Sequence, residues 1–393
     1  MWRTRKTYRR IIRISGLIAL LIVTSYSVHG NIIFPKAPEL SANGYILIDA
    51  ETGRVLVESN ADESLPPASL TKIMTGYVVA AELEAGRISL NDEVPISVNA
   101  WRTPGSKMFI QEGKTVALSD LLRGVIVQSG NDASVAIAEY LAGDEDAFAD
   151  VMNQYAMTIG MNDTNFLNST GLHEDGHSSS ARDMAVLTRE LIRRFPEHYA
   201  IYAEREFTFG EIRQPNRNRL LRRDRTVDGV KTGYTLAAGY CLVASAERDE
   251  MRLVSVVMGA TSDEVRMRET QKLLQYGFRY FETRGLFNPD ELVTEARMYF
   301  GKSDYVPVGV SEPIYVTFAR GYYDDLEVEI DLPAQIEAPV KEGAEIGSLR
   351  VMLDGKDLLK TPLVSKKSID EAGIFSRMFD SVYLFFASII DIE

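Results

Sequence analysis

Ser69-Leu70-Thr71-Lys72, Ser129-Gly130-Asn131 and Lys231-Thr232-Gly233 stand in that order along a chain of 393 residues. Together they hold two ammonium groups, a carboxamide, several hydroxyls and a glycine that lets another atom come close. No one string can do chemistry alone. They make sense as a set only if the fold gathers three distant segments into one cleft, and that requirement constrains the tertiary structure more than any other feature. Ser-x-Asn also occurs at Ser41, Ser89 and Ser97, whereas Ser-x-x-Lys and Lys-Thr-Gly each occur once.

The local context of each string is regular. Pro66-Pro67-Ala68 leads into Ser69, and no proline follows from Leu70 to Leu83. Ile73, Tyr77, Val78, Ala80 and Ala81 recur at helical spacing, which predicts a helix with Ser69 at its N-terminus. Leu118 to Val127 and Asp132 to Leu141 also read as helices, with Ser129-Gly130-Asn131 as the break between them. Ala147 to Ile159 and Ala181 to Phe195 are further helices. Gly44 to Asp49 and Arg54 to Val57 flank a turn and read as a hairpin. Val230 to Tyr234, Gly239 to Ala246 and Arg252 to Met258 read as successive strands, followed by a helix over Asp263 to Thr283. This is an α+β pattern, with an antiparallel sheet flanked by helices.

From Asn288-Pro289 onward the pattern becomes short alternating strands, including Ile314 to Phe318, Leu326 to Ile330 and Leu349 to Leu353, with Asp354-Gly355 as a hairpin turn. A small all-β domain is expected there. In the last segment Phe375, Met378, Phe379, Val382, Phe386, Ile389 and Ile390 fall on one helical face, opposite Arg377, Asp380, Ser381, Ser388 and Asp391. This amphipathic helix is too polar to span a bilayer and suits an interface. Docking on its own protein is the alternative. The expected divisions are 1–30, 31–288, 289–365 and 366–393.

Arg3, Arg5, Lys6, Arg9, Arg10 and Arg13 precede an apolar run from Ile14 to Val23, with small residues at Ser25, Ser27 and Gly30. This is the pattern of a secretory signal peptide, with an uncleaved membrane anchor as the alternative. The net charge is −13, and the basic residues of that leader make the remainder more acidic still. Such a body is a poor partner for nucleic acid. Cys241 is the only cysteine. It cannot form an internal disulfide, and its apolar neighbours suggest a small buried hydrophobe.

The residue types point to acyl transfer through a serine ester. A hydroxyl needs a base to become a good nucleophile. One helical turn returns Lys72 to the face of Ser69, and burial together with the charge of Lys231 would lower its pKa enough for it to act as that base. Ser129 is placed to pass a proton to a leaving amine. Asn131 suits a substrate amide, and Lys231 and Thr232 suit a carboxylate. Gly233 lets a ligand approach the strand. The backbone N–H groups of Ser69 and Tyr234 are candidates for an oxyanion hole. His173-Glu174-Asp175-Gly176-His177 matches the H-E-x-x-H zinc pattern, which works only on a helix. Here it lies among Asn, Ser, Thr and Gly residues and reads as a loop, so no metal is expected.

The strings resemble the signature of penicillin-recognising serine acyltransferases. The longer stretches Pro67 to Thr75, Gln128 to Ala133, Asp228 to Gly233 and Gly277 to Thr283 resemble those of low-molecular-mass penicillin-binding proteins, the D-alanyl-D-alanine carboxypeptidases of Gram-negative bacteria. The resemblance implies a penicillin-binding/β-lactamase-like transpeptidase domain with a helical subdomain, followed by the all-β domain and the terminal helix. It implies removal of the terminal D-alanine from peptidoglycan stem peptides with no cofactor, and acylation of Ser69 by β-lactams. It also implies a periplasmic enzyme held at the inner-membrane lipid by its last helix. Arg266 is matched to an arginine that helps bind the substrate carboxylate. Tyr234 stands where the family often has histidine. A homodimer is left open.

Two alternatives remain at this stage. A class A β-lactamase shares the strings but needs a Glu-x-x-Leu-Asn stretch that is missing between Asn131 and Lys231. A non-catalytic peptidoglycan-binding scaffold would have no reason to keep every reactive side chain.

Overall fold

The computed structural model describes residues 35–390, so the expected leader lies outside the described residues. Strands β1 (Gly44–Asp49) and β2 (Val55–Ser59) form the first hairpin. A short 3-10 turn, Ala68–Thr71, runs into helix α1 (Lys72–Glu84). Helix α2 (Leu118–Arg123) passes into a wider π-helical turn, Gly124–Gln128. Helices α3 (Asn131–Ala142), α4 (Glu145–Thr158) and α5 (Ala181–Arg194) follow. The side chains of Asp144 and Ser180 accept from backbone N–H groups in the first turns of α4 and α5, which explains where those helices start.

Strands β3 (Val227–Thr235), β4 (Gly239–Arg248) and β5 (Met251–Ala260) complete a five-stranded antiparallel sheet in the order β2-β1-β5-β4-β3. Strand alternation sends its side chains to two separate cores. Ile46, Ile48, Val243, Val254 and Val256 pack with α1, α3 and α5. Tyr45, Leu47, Leu242, Leu253 and Val257 face the other way, toward helix α6 (Asp263–Tyr280), with Met267, Leu273, Leu274 and Phe278.

Helix α6 ends three residues earlier than the periodicity predicts. Phe281, Glu282 and Thr283 belong instead to strand β6 (Phe281–Phe287). The rest of the second domain is built from β7 (Thr294–Tyr299), β8 (Tyr305–Gly309), β9 (Ile314–Ala319), β10 (Glu327–Asp331), β11 (Ile336–Glu337), β12 (Glu345–Leu353) and β13 (Lys356–Ser365). β6 pairs antiparallel with β9, and this tertiary pairing outweighs the helical propensity of the segment. The others form a six-stranded sheet in the order β10-β12-β13-β8-β7-β11. Thr283 Oγ1 donates to buried Asp49 Oδ2 at 2.7 Å, and Thr52 Oγ1 donates to Asp49 Oδ1 at 2.8 Å. One carboxylate thus ties the two domains together.

Helix α7 (Ile374–Ile390) closes the described chain. Ile374, Phe375, Met378, Phe379, Val382 and Tyr383 are exposed along it. Asp380 accepts from the Phe300 backbone N–H at 2.7 Å, which ties the helix to the β-domain. No helix among the described residues is long and apolar enough to cross a membrane.

Candidate active site

Ser69 lies in the 3-10 turn rather than in the first turn of an α-helix. The difference matters, because three residues per turn bring positions i and i+3 into register. Lys72, which opens α1, therefore lies over Ser69, with Nζ 3.4 Å from Ser69 Oγ. The turn is entered through Ala68 at φ +49°, a left-handed conformation that is uncommon for a residue with a side chain.

Lys72 is fully buried. Its amine donates to Asn131 Oδ1 at 2.7 Å and to the Thr170 carbonyl at 2.5 Å. Burial pulls its pKa from the ordinary lysine range down to about 7. The carboxylates of Glu145 and Asp132 work against that shift, and Arg217 adds to it. Lys231 is buried as well and is pushed well below its ordinary value, first by burial and then by the charges of Lys72, Arg217 and Arg266, so the two amines press on each other.

Ser129 follows the π-helical turn in a left-handed conformation, φ +65°, which directs it out of the helix line before α3 begins. Lys231 Nζ donates to Ser129 Oγ at 2.8 Å and to the Thr232 carbonyl at 3.1 Å. Asn131 is engaged at both ends: its Oδ1 accepts from Lys72, and its Nδ2 donates to the Pro104 carbonyl at 2.7 Å.

Strand β3 lies against the nucleophile's turn. A Cβ at Gly233 would stand 3.0 Å from the Pro67 carbonyl oxygen, 3.1 Å from Ala68 Cβ and 3.2 Å from Ser69 N. Any side chain there would press on the turn by a few tenths of an ångström, and glycine lets the strand approach without that. Thr232 is nearly buried, and Tyr234 is exposed with its ring centroid 4.4 Å from that of Tyr240. Arg266 lies behind Gly233. Its guanidinium donates to the Gly233 and Cys241 carbonyls at 2.8 and 3.2 Å and to Asp263 at 2.5 Å. Cys241 is buried, and the apolar surroundings push its thiol up to about 11.

The H-E-x-x-H stretch is not helical. His173 is exposed, whereas His177 is buried with both ring nitrogens engaged, by Thr71 Oγ1 and the Leu167 N–H. Among the described residues no group of His, Cys, Asp and Glu is placed to hold a metal ion.

The model of the family described as "D-alanyl-D-alanine carboxypeptidase" matches residues 32–262, and that described as "Penicillin-binding protein 5, C-terminal domain" matches 281–371. D-alanyl-D-alanine carboxypeptidase DacC of Escherichia coli (strain K12) is 44% identical over 380 residues, covering 95% of this chain and 94% of that one. The chain belongs to the D-alanyl-D-alanine carboxypeptidase family. The crystal structure of penicillin binding protein 5 from Haemophilus influenzae is 41% identical, with a TM-score of 0.82, and covers 86% of this chain and 100% of that one. Penicillin-Binding Protein D2 from Listeria monocytogenes, in its ampicillin-bound form, is 32% identical with a TM-score of 0.57, covering 62% of this chain and 100% of that one. The β-lactamase and scaffold alternatives are not favoured.

Several residues of this carboxypeptidase site were invisible in the motifs. Thr170 supplies a carbonyl to Lys72. Its loop is shaped by Asn168, whose Oδ1 accepts from the N–H groups of Thr170 and Gly171. Glu145 accepts from Ser169 N and Oγ, which places a carboxylate behind that loop. Asp132 is buried and holds the backbone N–H groups of Met108 and Phe109 at 2.9 Å. Asp132 lay within the Gln128 to Ala133 stretch without an assigned role, and the sequence signal for the loop residues was the turn cluster Asn168-Ser169-Thr170-Gly171, which marks a loop and does not name its partner.

Proposed function

We propose that this carboxypeptidase removes the terminal D-alanine of peptidoglycan pentapeptides through an acyl ester on Ser69. The observation that carries the reading is the setting of Lys72. Two of its hydrogens are directed to Asn131 Oδ1 and the Thr170 carbonyl. In a neutral amine that leaves the lone pair for the hydroxyl hydrogen of Ser69, and burial makes the neutral form accessible near pH 7.

The Ser69 oxygen attacks the carbonyl carbon of the penultimate residue as its proton passes to Lys72. The backbone N–H groups of Ser69 and Tyr234 stabilise the oxyanion. As the C–N bond breaks, the departing D-alanine nitrogen takes a proton from Ser129. Ser129 accepts a hydrogen bond from Lys231, so its own hydrogen is available for donation. Lys231 and Thr232 supply N–H and hydroxyl donors, and Arg266 the positive charge, for the substrate's terminal carboxylate, Gly233 keeps the strand close, and Asn131 orients Lys72 and the substrate amide. The proton that Lys72 took from Ser69 then replaces the one Ser129 gave up, so Lys72 is neutral again when water attacks the ester, gives its proton to Lys72 and releases Ser69, which takes that proton back. A β-lactam amide enters the same first step. The ampicillin-bound form of the Listeria relative supports that part of the reading.

The basic and apolar leader supports export to the periplasm. The exposed apolar side chains of α7 support contact with inner-membrane lipid. The deciding experiment is mass spectrometry of the protein incubated with a penicillin. A covalent adduct on wild type that is lost in Ser69→Ala is expected. No adduct, or one that persists in Ser69→Ala, defeats the reading.

A further inference from the structure

The histidine left over from the false zinc motif has a defined place. His177 is buried, with both ring nitrogens bonded. Its Nδ1 accepts from the Leu167 backbone N–H at 3.0 Å. A backbone amide can only donate, so Nδ1 carries no hydrogen and the neutral ring is the Nε2–H tautomer. Nε2 lies 2.8 Å from Thr71 Oγ1 and therefore donates to it. The hydroxyl hydrogen of Thr71 is then directed to the Ala68 carbonyl at 2.8 Å. Each donor in this line has one acceptor, and the direction is unambiguous.

The line ends on the peptide unit that carries the nucleophile's own N–H. The Ala68 carbonyl and the Ser69 N–H belong to one planar trans amide and point in opposite directions. Holding the oxygen therefore aims the N–H. The need for a hold is visible in the backbone: Ala68 sits at φ +49°, where a residue with a side chain is strained. Gly171 backs the same carbonyl so closely that a Cβ there would overlap the Ala68 oxygen. Ser69 N lies beside Gly233 of β3, on the edge where a substrate carbonyl would approach.

We propose that His177 is a positioning residue for the oxyanion hole, acting through Thr71 to set the plane of the Ala68–Ser69 peptide. The inference rests on the acyl-Ser69 reading and deepens it. Burial also pulls His177 down to about 4, so the neutral tautomer the line requires is the one present at neutral pH.

The penicillin adduct on wild type and its loss in Ser69→Ala are measured first, because failure there removes the acyl-enzyme and not merely the positioning. His177→Ala, Thr71→Val and Thr71→Ser are then compared for hydrolysis of a D-alanyl-D-alanine peptide and for affinity toward a boronic acid that forms a tetrahedral adduct. His177→Ala and Thr71→Val are expected to lower kcat about tenfold to a hundredfold, short of the full loss of an oxyanion donor, with KM changed less than about twofold. Boronate affinity should fall in the same proportion, Thr71→Ser should recover most of the rate, and the double variant should be no worse than the worse single one. Unchanged kcat in Thr71→Val, or losses that multiply in the double variant, overturn the proposal. If His177→Ala fails to fold, the Thr71→Val and Thr71→Ser pair decides alone.

Discussion

Lys231 Nζ stands 2.8 Å from Ser129 Oγ, in a buried contact between residues 102 positions apart in the chain. The amine donates, so the hydroxyl hydrogen of Ser129 is free to move toward a leaving group. Ser129→Ala should therefore lower kcat for a D-alanyl-D-alanine peptide by about 10²- to 10⁴-fold, the usual size of general-acid assistance. Steady-state kinetics against the same peptide checks it. A loss of less than about threefold would take Ser129 out of the proton path.

The base is active only when neutral, and burial brings Lys72 down to about 7. The acylation rate constant for a chromogenic β-lactam should rise with pH below about 7 and level off above it. The sign follows from deprotonation: each step down in pH converts neutral amine to ammonium, which has no lone pair for the Ser69 proton. Stopped-flow measurements between pH 5 and 9 test this, and Lys72→Ala should leave a small residual rate without that inflection.

Gly171 and Gly113 separate backbone strain from collision. Both have positive φ, +78° and +72°. A Cβ at Gly113 meets nothing within 4 Å, whereas one at Gly171 overlaps the Ala68 carbonyl. Gly113→Ala should cost about 1 kcal/mol, the conformational cost alone, and leave kcat unchanged. Gly171→Ala should cost more than that in urea unfolding and should also reduce acylation, because it displaces the turn that carries Ser69.

His177 is buried and His198 half-buried, and desolvation pulls both from 6.5 to about 4. Between those two values the unfolded chain binds more protons than the folded one, so stability falls as pH drops from 6.5 toward 4. Each ring contributes a loss of roughly 3 kcal/mol once pH reaches 4. Urea unfolding at pH 7 and pH 4.5 should show a marked drop, and His198→Phe should lessen it.

Among the described side chains of α7, Ile374, Phe375 and Phe379 are the most exposed large apolar ones. Removing the chain from Gly373 onward should move the protein from the membrane fraction to the soluble fraction without changing peptide hydrolysis. Fractionation of both forms, followed by activity assay, gives the answer. Unchanged membrane association would show that α7 is not the anchor.

The three strings and the elements carrying them were legible because their signals are local. Helical spacing after Ser69, the Ser129 break and the strand through Lys231 all fall within a few residues of the side chains concerned. The end of α6 was not legible. The residues around Phe281 suit a helix or a strand, and pairing with β9, more than thirty residues away, decides between them. The 3-10 geometry at Ser69 was hidden for a similar reason. Nothing in Ala68 announces a positive φ; contacts from Gly171, Thr71 and Gly233 hold it there.

By itself the amino-acid order determined which groups are available: a nucleophile, two amines, a second hydroxyl and the glycine that admits a close neighbour. Only the folded chain decided their states. Burial brings the Lys72 amine down to about 7, Arg217 adds to that shift, and a loop carbonyl from Thr170 takes one of its hydrogens. Charge state and hydrogen-bond direction depend on what surrounds a group in three dimensions, and most of those surroundings come from residues far along the chain.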